Sequence, residues 1–425
     1  MPATLPSPCF VDVFAGCGGL SLGLKRAGWK GLFAIERDES AFETLSANFP
    51  DGGSLSYNWP ETIERKAWDI RELLSERGEV LTTFAGKVDM LAGGPPCQGF
   101  SHAGRRRSED PRNRLFEAYL DLVAAIRPNI VLIENVKGFT SDFVSNKGEI
   151  KNFAQALKDR LDADYDTTSA ILRASDFGVP QVRPRFFLIG VRRELSAAEH
   201  LGALFAQMRG RTAEFLRARK MPLAPSSRDA ISDLEVAHNS TSESTETAGF
   251  RQTNYRAPRT PFQIAMRDGH SGAPSDLRLA RHSPEIQERF SSIIKSANEE
   301  GRLNVSISAE VRRAHGLKKM AIRVLDPLSP APTITSLPED LLHYAEPRAL
   351  TVRENARLQT FPDWFQFKGK YTTGGLRRRT EVPRFTQVAN AVPPILAEQL
   401  GISLLNLSRS LAQAELLTDS VAELA

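Results

Sequence analysis

The chain has 425 residues, 41% hydrophobic and 25% charged, an ordinary globular composition with room for two or three domains and none of the bias of a disordered chain. A formal net charge of +4 leaves any contact with a polyanion to local clusters of Lys and Arg. Three cysteines without C-x-x-C or a zinc-ligand cluster point to a reduced, cytoplasmic protein without a bound metal, and nothing resembles a secretory leader or a membrane-spanning run.

Residues 9–193 alternate short β-rich runs with helical patterns, which predicts an α/β fold with a doubly wound parallel sheet. The predicted strands are Phe10–Phe14, Gly31–Ile35, Val88–Ala92, Asn129–Ile133 and Phe186–Val191. The first ends in Phe14-Ala15-Gly16-Cys17-Gly18-Gly19, where glycines let the backbone approach a ligand. Glu36 ends the second strand about twenty residues later, where a carboxylate can accept from ribose hydroxyls. At this point a dinucleotide reductase, or a plain tight turn beside an exposed Glu, fits equally well.

After the third strand comes Gly93-Gly94-Pro95-Pro96-Cys97-Gln98. The prolines forbid helix, so Cys97 is held extended just past a strand end among glycines and polar residues, while Cys9, inside the first strand, reads as a small buried hydrophobe. Leu115, Phe116, Tyr119, Leu122, Val123 and Ile126 then recur at helical spacing up to Pro128. Glu134 follows the fourth strand, and Arg183 and Arg185, two apart in an extended segment, point the same way. From about residue 194 the alternation fades, and Ser240–Thr247 reads as a solvated loop or disordered insert. Apolar helical periodicity returns at about residue 386, with Pro393-Pro394 opening the last helix.

Taken together, Phe14–Gly19, Pro95–Gln98, Glu134-Asn135-Val136, Gln181-Val182-Arg183-Pro184-Arg185, Arg353–Pro362 and Asn390-Ala391-Val392 resemble the ordered motifs of DNA cytosine-5 methyltransferases. One departure is Ala389, where that family usually has Gly before the Asn; its methyl is expected to tighten a turn there and to be tolerated. The resemblance implies a Rossmann-like S-adenosylmethionine-dependent methyltransferase sheet with a second, smaller, irregular target-recognition domain. It divides the chain into 1–193 (catalysis and cofactor), 194–383 (target recognition, including the 348–365 motif) and 384–425 (returning to the first domain). It makes Cys97 the nucleophile, because carbon 5 of cytosine must be activated by a thiolate adding at carbon 6. Glu134 then acts at ring nitrogen 3, Arg185 holds the base carbonyl and supports Glu134, Arg183 lines the pocket, and Asn135 and Gln98 complete the catalytic group. For S-adenosyl-L-methionine the same resemblance implies Phe14, Ala15, Gly16, Cys17, Gly18 and Gly19, then Glu36 and Arg37, Asp69 and Ile70 at the adenine edge, Gly94 and Pro96, with Asn390, Ala391 and Val392 closing the methionine side.

The implied partner is duplex DNA, from which the target base must be extruded. A paired restriction endonuclease and action as a monomer are further expectations. Arg105, Arg106, Arg107, Arg112 and Arg114 outnumber Glu109 and Asp110 after Cys97, and Lys368, Lys370, Arg377, Arg378, Arg379 and Arg384 outnumber Glu381; both clusters suit phosphates. Arg251, Gln252, Asn254, Tyr255, Arg256 and Arg259 supply side chains suited to base edges. The tRNA-modifying branch typically carries a Cys-Phe-Thr motif, which is missing here; a scaffold would not need both Cys97 and Glu134, and an oxidoreductase leaves Pro95–Gln98 unexplained.

Overall fold

The structure, a computed structural model, describes residues 7–95, 113–144, 150–195, 198–318, 321–373 and 381–422. Six strands form the central sheet: β1 (Cys9–Val13), β2 (Lys30–Ile35), β3 (Met90–Gly93), β4 (Ile130–Val136), β5 (Tyr165–Arg173) and β6 (Pro184–Arg192), in the order β2-β1-β3-β4-β6-β5. Helices α1 (Gly19–Arg26), α2 (Glu39–Asn48), α3 (Ile70–Thr82), α4 (Asn113–Ile126) and α5 (Phe153–Leu161) follow or connect the strands. Later in the chain come α6 (Leu204–Ala218), α7 (Val352–Leu358), α8 (Arg384–Asn390) and α9 (Pro394–Ala422).

Alternation along each strand sends side chains to two cores. Phe10, Ile130, Leu132 and Ile189 pack with Leu20 and Leu24 of α1 and with Leu396, Leu400 and Leu404 of α9. Val11, Val13, Val131 and Ile133 face the other way, onto Leu73 of α3, Leu122 of α4 and Leu157 of α5. Each such large side chain stabilises the fold by about 1.5–3 kcal/mol. α1 and α9 approach so closely that a β-carbon at Gly23 would stand 2.3 Å from that of Ala397. The run Arg384–Gln413 is long and apolar enough to cross a membrane by length and composition alone, yet 89% of its most apolar stretch is buried inside the protein.

A further core joins Cys17, Leu22 and Leu45 to Leu216, Phe262, Met266, Leu325 and Val352, and to Phe385 and Val388 of α8. It therefore crosses both the 193/194 and 383/384 positions. A smaller one, around Phe290, Ile293, Val311 and Val324, lies wholly within 284–342.

Several expectations need correction. The sheet is mixed: β1, β2, β3 and β4 are parallel, whereas β6 runs antiparallel to both β4 and β5. Hydrophobic patterning reports burial and is blind to strand direction, and β5 escaped notice because most of it is only half-buried, with polar Thr167, Thr168 and Ser169 at its centre. Glu134 lies inside β4, not beyond it. Ser240–Thr247 is tied down: Thr241–Glu243 pairs with Arg251–Thr253, and Ser244 is buried. Ala389 is buried in the interior of α8, so its methyl adds to a core and tightens no turn. Cys9 is only half-buried, at the first position of β1.

Candidate functional site

β1, β3 and β4 end on the same side of the sheet, and a cavity of about 320 Å³ opens there. Apart from Gly18, every described residue expected at the site lines it, whereas Pro96, Cys97 and Gln98 lie outside the described residues. The arginines from Arg105 to Arg112 and Arg377–Arg379 lie outside them too, as does the side chain of Arg114.

In one half of the cavity the chain leaves β1 through a turn. Phe14 has φ 60°, rare and costly for an aromatic residue, and Gly16 (φ 55°) and Gly18 (φ 91°) share the left-handed region. The turn is locked by Glu36, whose Oε2 accepts from Gly16 N–H (2.9 Å) and whose Oε1 accepts from Asp38 N–H (2.8 Å). A carboxylate has about four lone-pair sites, so Glu36 keeps capacity for two further donors. Burial raises the Glu36 carboxyl, and the two N–H groups oppose the rise. A β-carbon at Gly19 would lie 2.6 Å from the Val392 carbonyl oxygen, so the glycine is what lets the end of the chain close over the turn. Asp69 caps α3 and engages Arg71 through both oxygens, which holds its carboxyl below the usual range.

In the other half, antiparallel pairing sets Val136 of β4 opposite Arg185 of β6, so Arg185 lies diagonally across from Glu134. Its Nε stands 3.0 Å from Glu134 Oε1, with both side chains nearly enclosed. Had β6 run parallel, Arg185 at its beginning would sit at the far end of the sheet. Burial raises the Glu134 carboxyl, opposed by Arg185 and Arg183. Arg183 is fully buried in the cavity wall, and its Nε and Nη1 have no hydrogen-bond partner within the protein. The three N–H groups these atoms carry are available to an acceptor. Asn135 donates from Nδ2 to Pro95 O (3.0 Å), tethering the segment that leads to Cys97.

Sequence reasoning missed Asp12, Trp68, Val382 and Gln387, which also line the cavity. Asp12 precedes the glycine turn and Trp68 precedes Asp69, adjacencies that were open to inspection; Gln387 had no such signal. Its side chain binds Thr44, Lys368 O and Val382 O, and its carbonyl accepts from the Cys17 thiol. Gln359, in the Arg353–Pro362 block, donates to Val388 O and Ala391 O and so places the segment carrying Asn390.

Of the later basic cluster, Arg384 is mostly buried against Glu246 and Asp276, and Lys370 pairs with Glu381. Arg384 is thus committed within the protein, in contrast to the expectation that it faces phosphates, whereas Lys370 stays exposed. Gln252 and Asn254 also bind within the 240–254 hairpin, whereas Arg256 and Arg259 are exposed.

Residues 9–406 match the family described as C-5 cytosine-specific DNA methylase. The chain is similar to the type II methyltransferase M.DdeI of Desulfomicrobium norvegicum, with 32% identity covering 92% of this chain and 87% of that one. It is 29% identical to the type II methyltransferase M1.HphI of Haemophilus parahaemolyticus, covering 94% and 87%. A solved structure of a prophage-encoded E. coli protein, described as a DNA modification methyltransferase, superposes with a TM-score of 0.60 at 26% identity, covering 94% of this chain and 99% of that one.

Proposed function

The chain belongs to the C-5 cytosine-specific DNA methylase family and is a DNA cytosine-5 methyltransferase, and from this premise we propose which of its residues perform the reaction and in what setting. The observation that carries the proposal is the meeting, in one cavity, of the Glu36-locked glycine turn with the Glu134–Arg185–Arg183 group.

The glycine-turn half fits S-adenosyl-L-methionine: Glu36 retains acceptor sites for ribose hydroxyls, Phe14 and Ile70 offer apolar surface to an adenine, and Gly16 and Gly19 leave the backbone bare of side chains. Once bound, that group supplies an electrophilic methyl. The flipped cytosine lies in the other half. Cys97 adds as thiolate to carbon 6, forming a C–S bond, and the electron pair of the 5,6 double bond becomes available at carbon 5. Glu134 gives a proton to ring nitrogen 3 as that charge develops, and its raised carboxyl favours holding the proton until then. Arg185 orients Glu134 and holds the base carbonyl oxygen, and Arg183, with Nε and Nη1 unpartnered within the protein, lines the same pocket. After methylation, loss of the carbon-5 proton restores the double bond and expels the thiolate. Burial raises the Cys9 thiol to about 11 and the Cys17 thiol to about 12, which leaves Cys97, of the three cysteines, as the thiol for this role.

Recognition of a specific duplex sequence falls to the 194–383 region, and the setting is a type II restriction-modification system in which methylation protects host DNA from a partner endonuclease, as the names of the relatives suggest.

The test is bisulfite sequencing of plasmid DNA from cells expressing the protein. Methylcytosine at one recurring sequence is expected, and none from Cys97→Ser. Duplex bearing 5-fluorocytosine at that position should trap a covalent adduct at Cys97, because fluorine cannot leave as a proton does. Turnover by Cys97→Ser near the wild-type rate would overturn the mechanism.

A further inference from the structure

The last turn of α8 closes the proposed cofactor half of the cavity, yet Arg384 at its start is held by residues of the 194–383 region. Arg384, its first residue, donates from Nη1 to Asp276 Oδ1 (2.8 Å) and to the Glu246 carboxylate, and from Nε to Gly369 O (3.0 Å). Glu246 in turn accepts from Asp276 N–H (2.6 Å) and from the Tyr371 hydroxyl (2.9 Å). One carboxylate of the 240–250 loop thus binds residues at both ends of the 371–384 segment. Asp276 is itself in the left-handed region (φ 66°), a conformation costing of order 1 kcal/mol or more in a non-glycine residue and kept only where its surroundings over-determine it.

The same segment reaches the cofactor half by a second route. Val382 N–H donates to Asp38 Oδ2 (3.1 Å), Asp38 Oδ1 caps α2 at Ala41 (2.9 Å), and Asp38 N–H donates to Glu36 Oε1 (2.8 Å). Val382, Gln387, Asn390 and Val392 all line the cavity. Hydrogen bonds therefore run from Glu246 through Arg384 into α8, and from Val382 through Asp38 to Glu36. Burial alone would raise the Glu246 carboxyl; the Asp276 N–H, Arg384 and the Tyr371 hydroxyl more than offset this and hold it below the usual range, so it is ionised at neutral pH.

We propose that Glu246 is a positioning residue for the cofactor: from the target-recognition region it fixes Arg384, and through the 382–392 segment it sets Glu36 and Asn390–Val392 for S-adenosyl-L-methionine. This rests on the reading of the cavity given above. It makes the region that selects DNA a determinant of cofactor affinity, carried by a physically contiguous network. Glu246 is informative because its side chain is partly solvent-exposed, so replacing it opens no sealed cavity, unlike Asp276, which is fully buried.

The test is calorimetric titration of the full-length protein with S-adenosyl-L-methionine, alongside KM, kcat and melting temperature, for wild type, Glu246→Ala, Glu246→Gln and Glu243→Ala. The last removes the same charge from an exposed position on the same hairpin. Glu246→Ala should weaken binding, and raise KM for the cofactor, by about tenfold with kcat at saturation little changed. Gln keeps one of the two acceptor oxygens, enough for Asp276 N–H but not for the Tyr371 hydroxyl and Arg384 as well, so Glu246→Gln should fall between Ala and wild type, and Glu243→Ala should match wild type. A lower melting temperature with wild-type cofactor affinity in both Glu246 variants would overturn the proposal, leaving Glu246 a residue that only holds the fold. If Glu246→Ala does not fold, Glu246→Gln decides on the same readout. A wild-type protein that binds no S-adenosyl-L-methionine would instead overturn the cavity reading, and the proposal with it.

Discussion

Gly94 lies so close to Glu134 that a β-carbon at position 94 would stand 3.0 Å from Glu134 Oε2 and 3.3 Å from its carbonyl oxygen. The end of β3 is thus shaped around the carboxylate that β4 presents, and Arg185 fixes that carboxylate from the other side at 3.0 Å.

Gly94→Ala should therefore slow the chemical step. The added methyl must displace the carboxylate by a few tenths of an ångström, against the pull of Arg185, and misplacing a catalytic group on that scale costs about tenfold in rate. Single-turnover methylation at saturating cofactor should slow accordingly. Unchanged turnover would mean that Glu134 does not act from its present position.

Glu36 and Glu134 are expected to fail in different ways. Glu36 binds two backbone N–H groups that shape the turn, so Glu36→Ala leaves both without their acceptor and should weaken S-adenosyl-L-methionine binding by about 2 kcal/mol. Glu134→Gln preserves the shape but cannot supply the proton, so it should lower the rate by about a hundredfold or more with cofactor binding intact. Calorimetry paired with single-turnover rates separates the two, and equal binding defects in both variants would show that one of them has been given the wrong role.

What could be read from the sequence divides along the length scale of the signal. The glycine turn, Glu36, and the Glu134 and Arg183–Arg185 motifs are local patterns, and each reaches the cavity. Which way β6 runs is not written in its hydrophobic pattern, though it is the antiparallel direction that brings Arg185 to Glu134. Glu246 read as part of a solvated polar stretch because its partner Arg384 lies 138 positions away. Arg384 likewise counted as a free cation, since a charge tally along the chain cannot see Glu246 and Asp276, which folding brings to it.

A pH effect should come from Asp12, which burial raises to about 7 and which accepts from the Ser21 hydroxyl. Its pKa in the folded protein lies above the unfolded value of about 3.9, so between about pH 4 and 7 the native state binds more protons than the unfolded state. That contribution is fully present below about pH 4 and is lost as pH rises through 7. Lys25, lowered by burial to about 7, has the opposite sign but acts from pH 7 upward, so it leaves this window clear. Asp12→Asn removes the proton linkage. Melting curves from pH 4 to 7 should move in favour of the variant by a few degrees as pH rises, and curves that stay parallel would show that Asp12 is ionised throughout.

The remaining prediction concerns specificity, which should be transferable with residues 194–345. Cys97, Glu134 and Arg185 lie outside that stretch, so replacing it with the corresponding region of a related methyltransferase should move methylation to the donor's sequence while the target base stays cytosine. The ion pairs decide how the exchange must be made. Arg357 is held by Asp233 (3.3 Å) across the junction, and Arg353 and Arg384 by Asp276 (3.5 and 2.8 Å), with all the carboxylates inside the exchanged stretch and all the arginines outside it. Arg357 keeps Asp363 (2.5 Å), which lies outside the stretch, so the larger cost falls on Asp276, whose loss from the buried pair with Arg353 would cost about 3–5 kcal/mol. A graft that keeps carboxylates at 233, 246 and 276 should fold and methylate the donor's sequence; one lacking them should melt markedly lower before any question of specificity arises. Bisulfite sequencing reads the outcome directly. A well-folded graft that still methylates the original sequence would place base recognition outside 194–345 and would contradict the division between reaction and recognition.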